Sequence, residues 1–195
     1  MLHYNVEKLL QRLTEIYRDI DKAYSEAQVH YNFSCKECAD NCCATKFHHH
    51  TNAEELYLAE GLKKLDETKQ REIISRAEDA VRIHNSSAED IRIMCPLNEN
   101  GLCIPYDHRP MICRIHGVPY ELFRNFKVET GDGCYRFITE KEIVAKDFRI
   151  KRTGFYLEIA QIEREVREKL NFTGKYKKTT AEMVLSIHGK DIKTD

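Results

Sequence analysis

Apolar residues recur at spacings of three and four near the start of the chain: Val6, Leu9, Leu10, Leu13, Ile16, Tyr17, Ile20, Ala23, Tyr24 and Ala27. That period predicts a long amphipathic helix running to about Val29, with the tyrosines on its core stripe. The pattern breaks at Asn32-Phe33-Ser34. A second helix is expected after Thr51, because Thr51-Asn52-Ala53-Glu54 fits a capping box. Leu56, Ala59, Leu62 and Leu65 would form its apolar face. A third helix is expected near Thr68 to Asn85, carrying Ile73, Ile74, Ala77, Val81 and Ile83, with Glu67-Thr68 in the connecting turn.

Periodicity is lost over residues 91 to 136, which are rich in proline, glycine and cysteine. Asn100-Gly101 is a hairpin-turn signal between Cys95-Pro96-Leu97 and Leu102-Cys103-Ile104. Arg109-Pro110 suits the start of a short helix, and Gly117 its end. Helical pattern then returns. Thr139-Glu140-Lys141-Glu142 reads as a helix start, and Phe155, Ile159, Ile162, Val166 and Leu170 form a stripe. Thr180 to Ile187 reads as a last short helix, closed by Gly189. The expected fold is mainly α, a single domain over residues 1–195. Its helices flank a cysteine-cluster region at about 33–136. Within that region, residues 33 to 47 and 91 to 136 would build a largely irregular lobe with one short hairpin.

Composition narrows the function classes. The 195 residues are 42% hydrophobic and 32% charged, the profile of a folded domain with its own core. A formal net charge of -1 gives no global drive toward nucleic acid or anionic membrane. No run has the length of a transmembrane helix. The stretch Met1-Leu2-His3-Tyr4-Asn5-Val6-Glu7-Lys8 lacks the basic and apolar blocks of a secretory signal, so a cytoplasmic address is expected.

That address shapes how the eight cysteines are read. In a reducing compartment, thiols serve as metal ligands or redox groups more often than as disulfides. The first cluster is Cys35, Cys38, Cys42 and Cys43; the second group is Cys95, Cys103, Cys113 and Cys134. A C-x2-C unit presents two sulfurs on one short loop, and two such groups from distant segments commonly supply tetrahedral zinc. On a continuous helix Cys35 and Cys42 would stand about 10 Å apart along the axis. The backbone must therefore curl around an ion, or the cluster must split between sites. Eight sulfurs suit two four-thiolate sites, or one site with spare thiols. Zinc is favoured over an iron–sulfur cluster, because separated C-x2-C bites are the commoner structural zinc pattern.

The run Cys35-x2-Cys38-x3-Cys42-Cys43, followed by Cys95-Pro96-Leu97 and by Gly101-x-Cys103-x2-Tyr106-x2-Arg109-Pro110-x2-Cys113-Arg114, resembles the YkgJ-type cysteine-cluster family. The resemblance spans about residues 35 to 114. It implies a zinc- or iron-chelating domain, to which Cys134 would also belong. The family's first cluster is usually C-x2-C-x2-C-C, so this chain carries one extra residue before Cys42. Some flagellin lysine methylases are similar in cysteine pattern, which implies an enzyme alternative, yet the chain shows no motif for a methyl donor.

Other residues near the cysteines suit plainer roles. Arg109 and Arg114 flank Cys113 and would support thiolates from outside the ligand set. Tyr106 would pack near the site, with Asp107 and His108 in a turn. His48-His49-His50 would be a polar connector before Thr51, since adjacent side chains seldom converge on one ion. His116 is a better accessory ligand by spacing, but a supporting or packing role is expected for it. Residues 141–178 hold a mild basic excess, and Glu163, Glu165 and Glu168 interrupt any stripe for nucleic acid. No nucleophile, base and orienting group can be assigned together, so the sequence names neither an enzyme nor a substrate. The expected function is metal chelation. An iron–sulfur enzyme or electron carrier, and a thiol-based metal-handling protein or redox sensor, are the alternatives.

Overall fold

Thirty residues of unbroken helical periodicity open the chain as α1, Leu2–Tyr31. The structure, a computed structural model, describes residues 2–35, 41–86, 91–140 and 148–189. After α1 come β1 (His48–His49), α2 (Asn52–Leu62), α3 (Glu67–Ser86), β2 (Asn98–Glu99) and β3 (Leu102–Cys103). Then follow α4 (Met111–Ile115), β4 (Tyr120–Arg124), β5 (Lys127–Gly131), α5 (Tyr135–Glu140), β6 (Ile150–Lys151), α6 (Thr153–Leu170), β7 (Lys178–Thr179) and α7 (Thr180–Ile187). The fold is mainly helical, as the sequence predicts. Among the described residues no helix is long and apolar enough to cross a membrane.

The chain divides into two compact units, Met1–Asp40 with Met111–Phe172, and Asn41–Pro110 with Thr173–Asp195. Both segments of the expected cysteine-rich lobe, 33 to 47 and 91 to 136, are cut by these boundaries.

In the first unit, α1 lies against α4 and α6. Leu9, Leu13, Ile16, Tyr17, Ile20 and Ala27 of the predicted stripe are buried, as are Ile159, Ile162 and Val166 of α6. The helix stops where Asn32 turns left-handed (φ 46°), and the Phe33 N–H reaches back to Gln28 O at 2.9 Å. This closes the orphan carbonyls of the last turn. The region expected to be largely irregular instead contains β4 and β5, two strands of a three-stranded sheet ordered β5-β4-β6. β4 and β5 form a regular hairpin around Asn125 (φ 51°) and Phe126 (φ 60°). β6 joins β4 in parallel. Thr139 and Glu140 do not start a helix: they already belong to α5, which begins at Tyr135. Residues 141–147 lie outside the described residues.

In the second unit, Leu58, Leu62, Ile73, Ala77, Leu97, Met183 and Val184 form a core against which Cys95, Cys103 and Ile104 pack. The Thr51 cap is present: its hydroxyl accepts from the Glu54 N–H at 3.2 Å and donates to Glu54 Oε2 at 2.8 Å. The α2 face is wider than predicted, with Tyr57 and Leu58 buried as well. α3 begins earlier than predicted, because Asp66 caps it by accepting from the Lys69 N–H at 2.8 Å. The Asn100-Gly101 turn forms as expected. Both residues take positive φ (52° and 87°), the requirement of a type I′ turn that glycine meets without strain. α7 carries a full capping box from Thr179 and Glu182 that the sequence reading passed over.

Gly61 of α2 lies under His108, where an added Cβ would stand 2.6 Å from His108 Cβ and Cγ. His108 in turn stacks on Tyr57 with ring centroids 4.9 Å apart. Gly61→Ala is expected to destabilise the protein by about 1–3 kcal/mol through this overlap, despite the better helix propensity of alanine. Urea unfolding checks it; a gain in stability would show that His108 moves away freely.

Candidate functional site

Seven of the eight cysteines are described, and none of them is in a disulfide. Cys38 lies outside the described residues. Cys35, Cys113 and Cys134 fall in the first unit, and Cys42, Cys43, Cys95 and Cys103 in the second.

In the second unit, Cys42 and Cys43 sit on a single 3-10 turn capped by Asn41, whose Oδ1 accepts from the Cys43 N–H at 2.9 Å. The Cys43 carbonyl accepts from the Cys95 N–H at 2.9 Å, so two distant stretches of chain meet backbone to backbone. Cys95 N–H and C=O both work here, since the Cys95 carbonyl accepts from the Asn98 N–H. Asn98 pairs with Cys103 across β2 and β3. Backbone bonds and strand register thus link the stretches that carry Cys42, Cys43, Cys95 and Cys103. Cys43 and Cys95 line one cavity of about 30 Å³, together with His84, Phe47 and Thr180.

The two inner thiols have opposite electrostatics. Cys43 is lowered to about 6, chiefly by a hydrogen bond from the Cys42 thiol, with help from Asn98 and the charge of Arg109 against burial. Asn98 Nδ2 is buried and has no other partner among the described residues, which leaves it to favour the thiolate. Cys95 is pushed up to about 11, first by burial, with the Leu97 backbone and Thr180 hydroxyl pulling the other way. Arg76 also lowers it through its charge. Arg76 donates from Nη1 to Asn98 O at 2.9 Å, while its Nε and Nη2 are buried without a hydrogen-bond acceptor. A buried guanidinium in that state favours negative charge nearby.

Without metal, Cys43 alkylation by iodoacetamide is expected to rise with pH to a midpoint near 6, while Cys95 stays unreactive far above neutrality. Because the folded-state value is depressed, the thiolate's contribution to stability is complete above the ordinary thiol range and lost as pH falls through about 6. Cys42→Ala should move the alkylation midpoint upward. A midpoint unchanged by that substitution would show that Cys42 does not hold the thiolate.

In the first unit, the Tyr24 hydroxyl lies 3.1 Å from Cys35 Sγ. A Cβ added to Gly117 would stand 3.7 Å from both Tyr24 Oη and Cys134 Sγ, an ordinary contact, and the φ of 104° is what suits this position to glycine. The Cys134 N–H donates to Gly117 O at 3.1 Å, and the Phe137 N–H approaches Cys134 Sγ at 3.5 Å. Cys113 is half-buried on α4.

The flanking residues divide. Arg109 influences Cys43, and its guanidinium lies 3.5 Å from the Tyr106 ring centroid. Arg114 instead is buried in an ion pair with Asp21 at 2.6 Å, over the Tyr17 ring. It ties α4 to α1 through this pair. His48 and His49 form β1, paired with Lys178 and Thr179. His49 is buried, its Nε2 3.0 Å from Thr180 Oγ1, and burial lowers its pKa. His48 and His49 of the run are thus strand residues, and His50 links the strand to Thr51. Of the basic tail, Lys178 is held by Glu55 at 2.8 Å.

Among the described residues, no group of three or more His, Cys, Asp or Glu side chains forms a ready-made ligand set for a metal. No family model, curated protein or solved structure matches this chain.

Proposed function

We propose that the protein is a cytoplasmic metal-binding protein that chelates zinc or iron through cysteine thiolates. The meeting of Cys43 and Cys95, backbone to backbone and along one cavity, with Cys42 on the same turn as Cys43, carries this reading. Soft thiolates suit zinc and iron, and ligation needs them deprotonated. Cys43 meets that need near neutral pH, and Arg76 and Arg109 offset the negative charge that thiolates bring to this end of the unit. The buried Cys95 would be deprotonated by the metal itself, which outweighs the cost of burial. Metal would also turn the thiol rotamers toward a common point, since a ligand set is seldom complete before the ion arrives. The cysteine pattern's likeness to the YkgJ-type family supports the same chemistry.

Elemental analysis of anaerobically purified protein tests it. Stoichiometric zinc or iron is expected, lost from the second unit's set in Cys95→Ser. A colourless zinc protein and a brown iron–sulfur protein separate the two metals. Folded protein with no metal and eight titratable thiols would overturn the reading. A second reading, a thiol-based redox sensor, rests on the Cys42–Cys43 hydrogen bond and the depressed Cys43. It predicts that peroxide oxidises Cys43 first in protein that never held metal.

A further inference from the structure

We infer that the outer edge of β5 is a self-association surface, on which a second copy of this chain adds its own β5 antiparallel. Among the described residues β5 ends the sheet order β5-β4-β6. The two-residue loop Asn125-Phe126 places Arg124 and Lys127 as a hydrogen-bonded pair, so Val128 and Thr130 point their N–H and C=O groups outward. Such an edge is a template for another strand unless it is guarded by proline, bulges or charge that the added strand leaves unmatched. The β4–β5 ladder runs without a bulge from Tyr120–Gly131 to Arg124–Lys127, and β5 holds no proline.

Charge selects the register. Outward residues must face outward residues, which allows centres at Val128, between Val128 and Thr130, or at Thr130. The middle choice sets Glu129 against Glu129 of the second copy. The Val128-centred choice sets Lys127 against Glu129 on both sides of the two-fold axis, beside the pair that Glu129 makes with Arg124 at 2.9 Å, and opposite charges across strands stabilise. In that register the exposed Val128 side chains meet, flanked by Phe123 on the same sheet face.

Phe126 supplies an independent indication. It is 96% exposed and holds a positive φ of 60°, a conformation that costs a bulky residue strain. Glycine would serve this turn better. In the Val128-centred register Phe126 lies opposite Thr130 of the second copy, where its ring gains cover.

Sedimentation equilibrium of the full chain tests this. A concentration-dependent dimer is expected. Val128→Lys and Phe126→Gly should each weaken it about tenfold or more. Phe126→Gly should at the same time raise the thermal midpoint, a combination that a purely structural role for Phe126 would not give. Far-UV circular dichroism confirms that both variants fold. A monomer at all concentrations, or a dimer that neither variant weakens, would overturn the inference.

Discussion

Phe137→Ala is expected to destabilise the protein by about 3–5 kcal/mol, the range for deleting a buried aromatic side chain. Phe137 is fully buried on α5. Its ring meets Tyr31 edge-on at 4.9 Å and Phe33 at 5.1 Å, geometries that add to area burial. Tyr31 in turn bridges Phe148, donating to its carbonyl at 2.5 Å and accepting from its N–H at 3.1 Å. Phe137 therefore joins the end of α1, the start of α5 and the chain before β6. Its own N–H lies against Cys134 Sγ, so the cavity should also loosen the Cys134 loop. Guanidinium unfolding measures the cost, and Cys134 alkylation should quicken in the variant. Phe137→Leu, which refills much of the space, should recover more than half of the loss. A cost below about 1 kcal/mol would show that the site collapses around the smaller side chain.

Helical stripes were legible because burial in α1, α3 and α6 follows a single period. Leu13, Ile20, Ile73 and Ile162 stand at the predicted places and are fully buried. The Asn100-Gly101 hairpin was legible for a local reason, since the residue types match the φ values the turn demands. The β4–β5 hairpin was not. Its turn places phenylalanine where glycine is expected, and its strands are largely solvent-facing, so neither turn chemistry nor alternation marks it. The early start of α3 followed from Asp66, a capping residue visible in the sequence but outweighed by the later apolar stripe.

The cysteines show a different limit. Residue type and count pointed to thiolate chemistry, yet spacing cannot say which sulfurs meet. Cys35 and Cys42 are close in sequence but fall in different units. Cys43 and Cys95 are far apart in sequence, and a backbone hydrogen bond joins them. Arg76, which biases Cys95, sits on α3 among the apolar positions that its period marks, and the period itself does not single it out. His49 was equally opaque, because two-residue strands leave no periodic signal.

Glu55→Ala is expected to cost about 2–4 kcal/mol, because one carboxylate satisfies three side chains and its removal strands an ammonium. Glu55 Oε2 accepts from Tyr176 Oη at 2.5 Å and Lys178 Nζ at 2.8 Å, and Oε1 accepts from Ser186 Oγ at 2.9 Å. Lys178 also donates to Ser186 Oγ at 2.6 Å, closing the network. The Lys178 and Glu55 side chains are 25% and 18% exposed, so water reaches them and the cost falls short of a fully buried pair. The network ties α2 to β7 and α7, the elements that also bring Thr180 to Cys95. Lys178→Met in the Glu55→Ala background should recover part of the loss, because the stranded charge is then gone. Urea unfolding of the four proteins in this cycle measures the coupling. Additive single effects would show that the pair contributes through packing alone and that the charge on Lys178 finds water when Glu55 is removed.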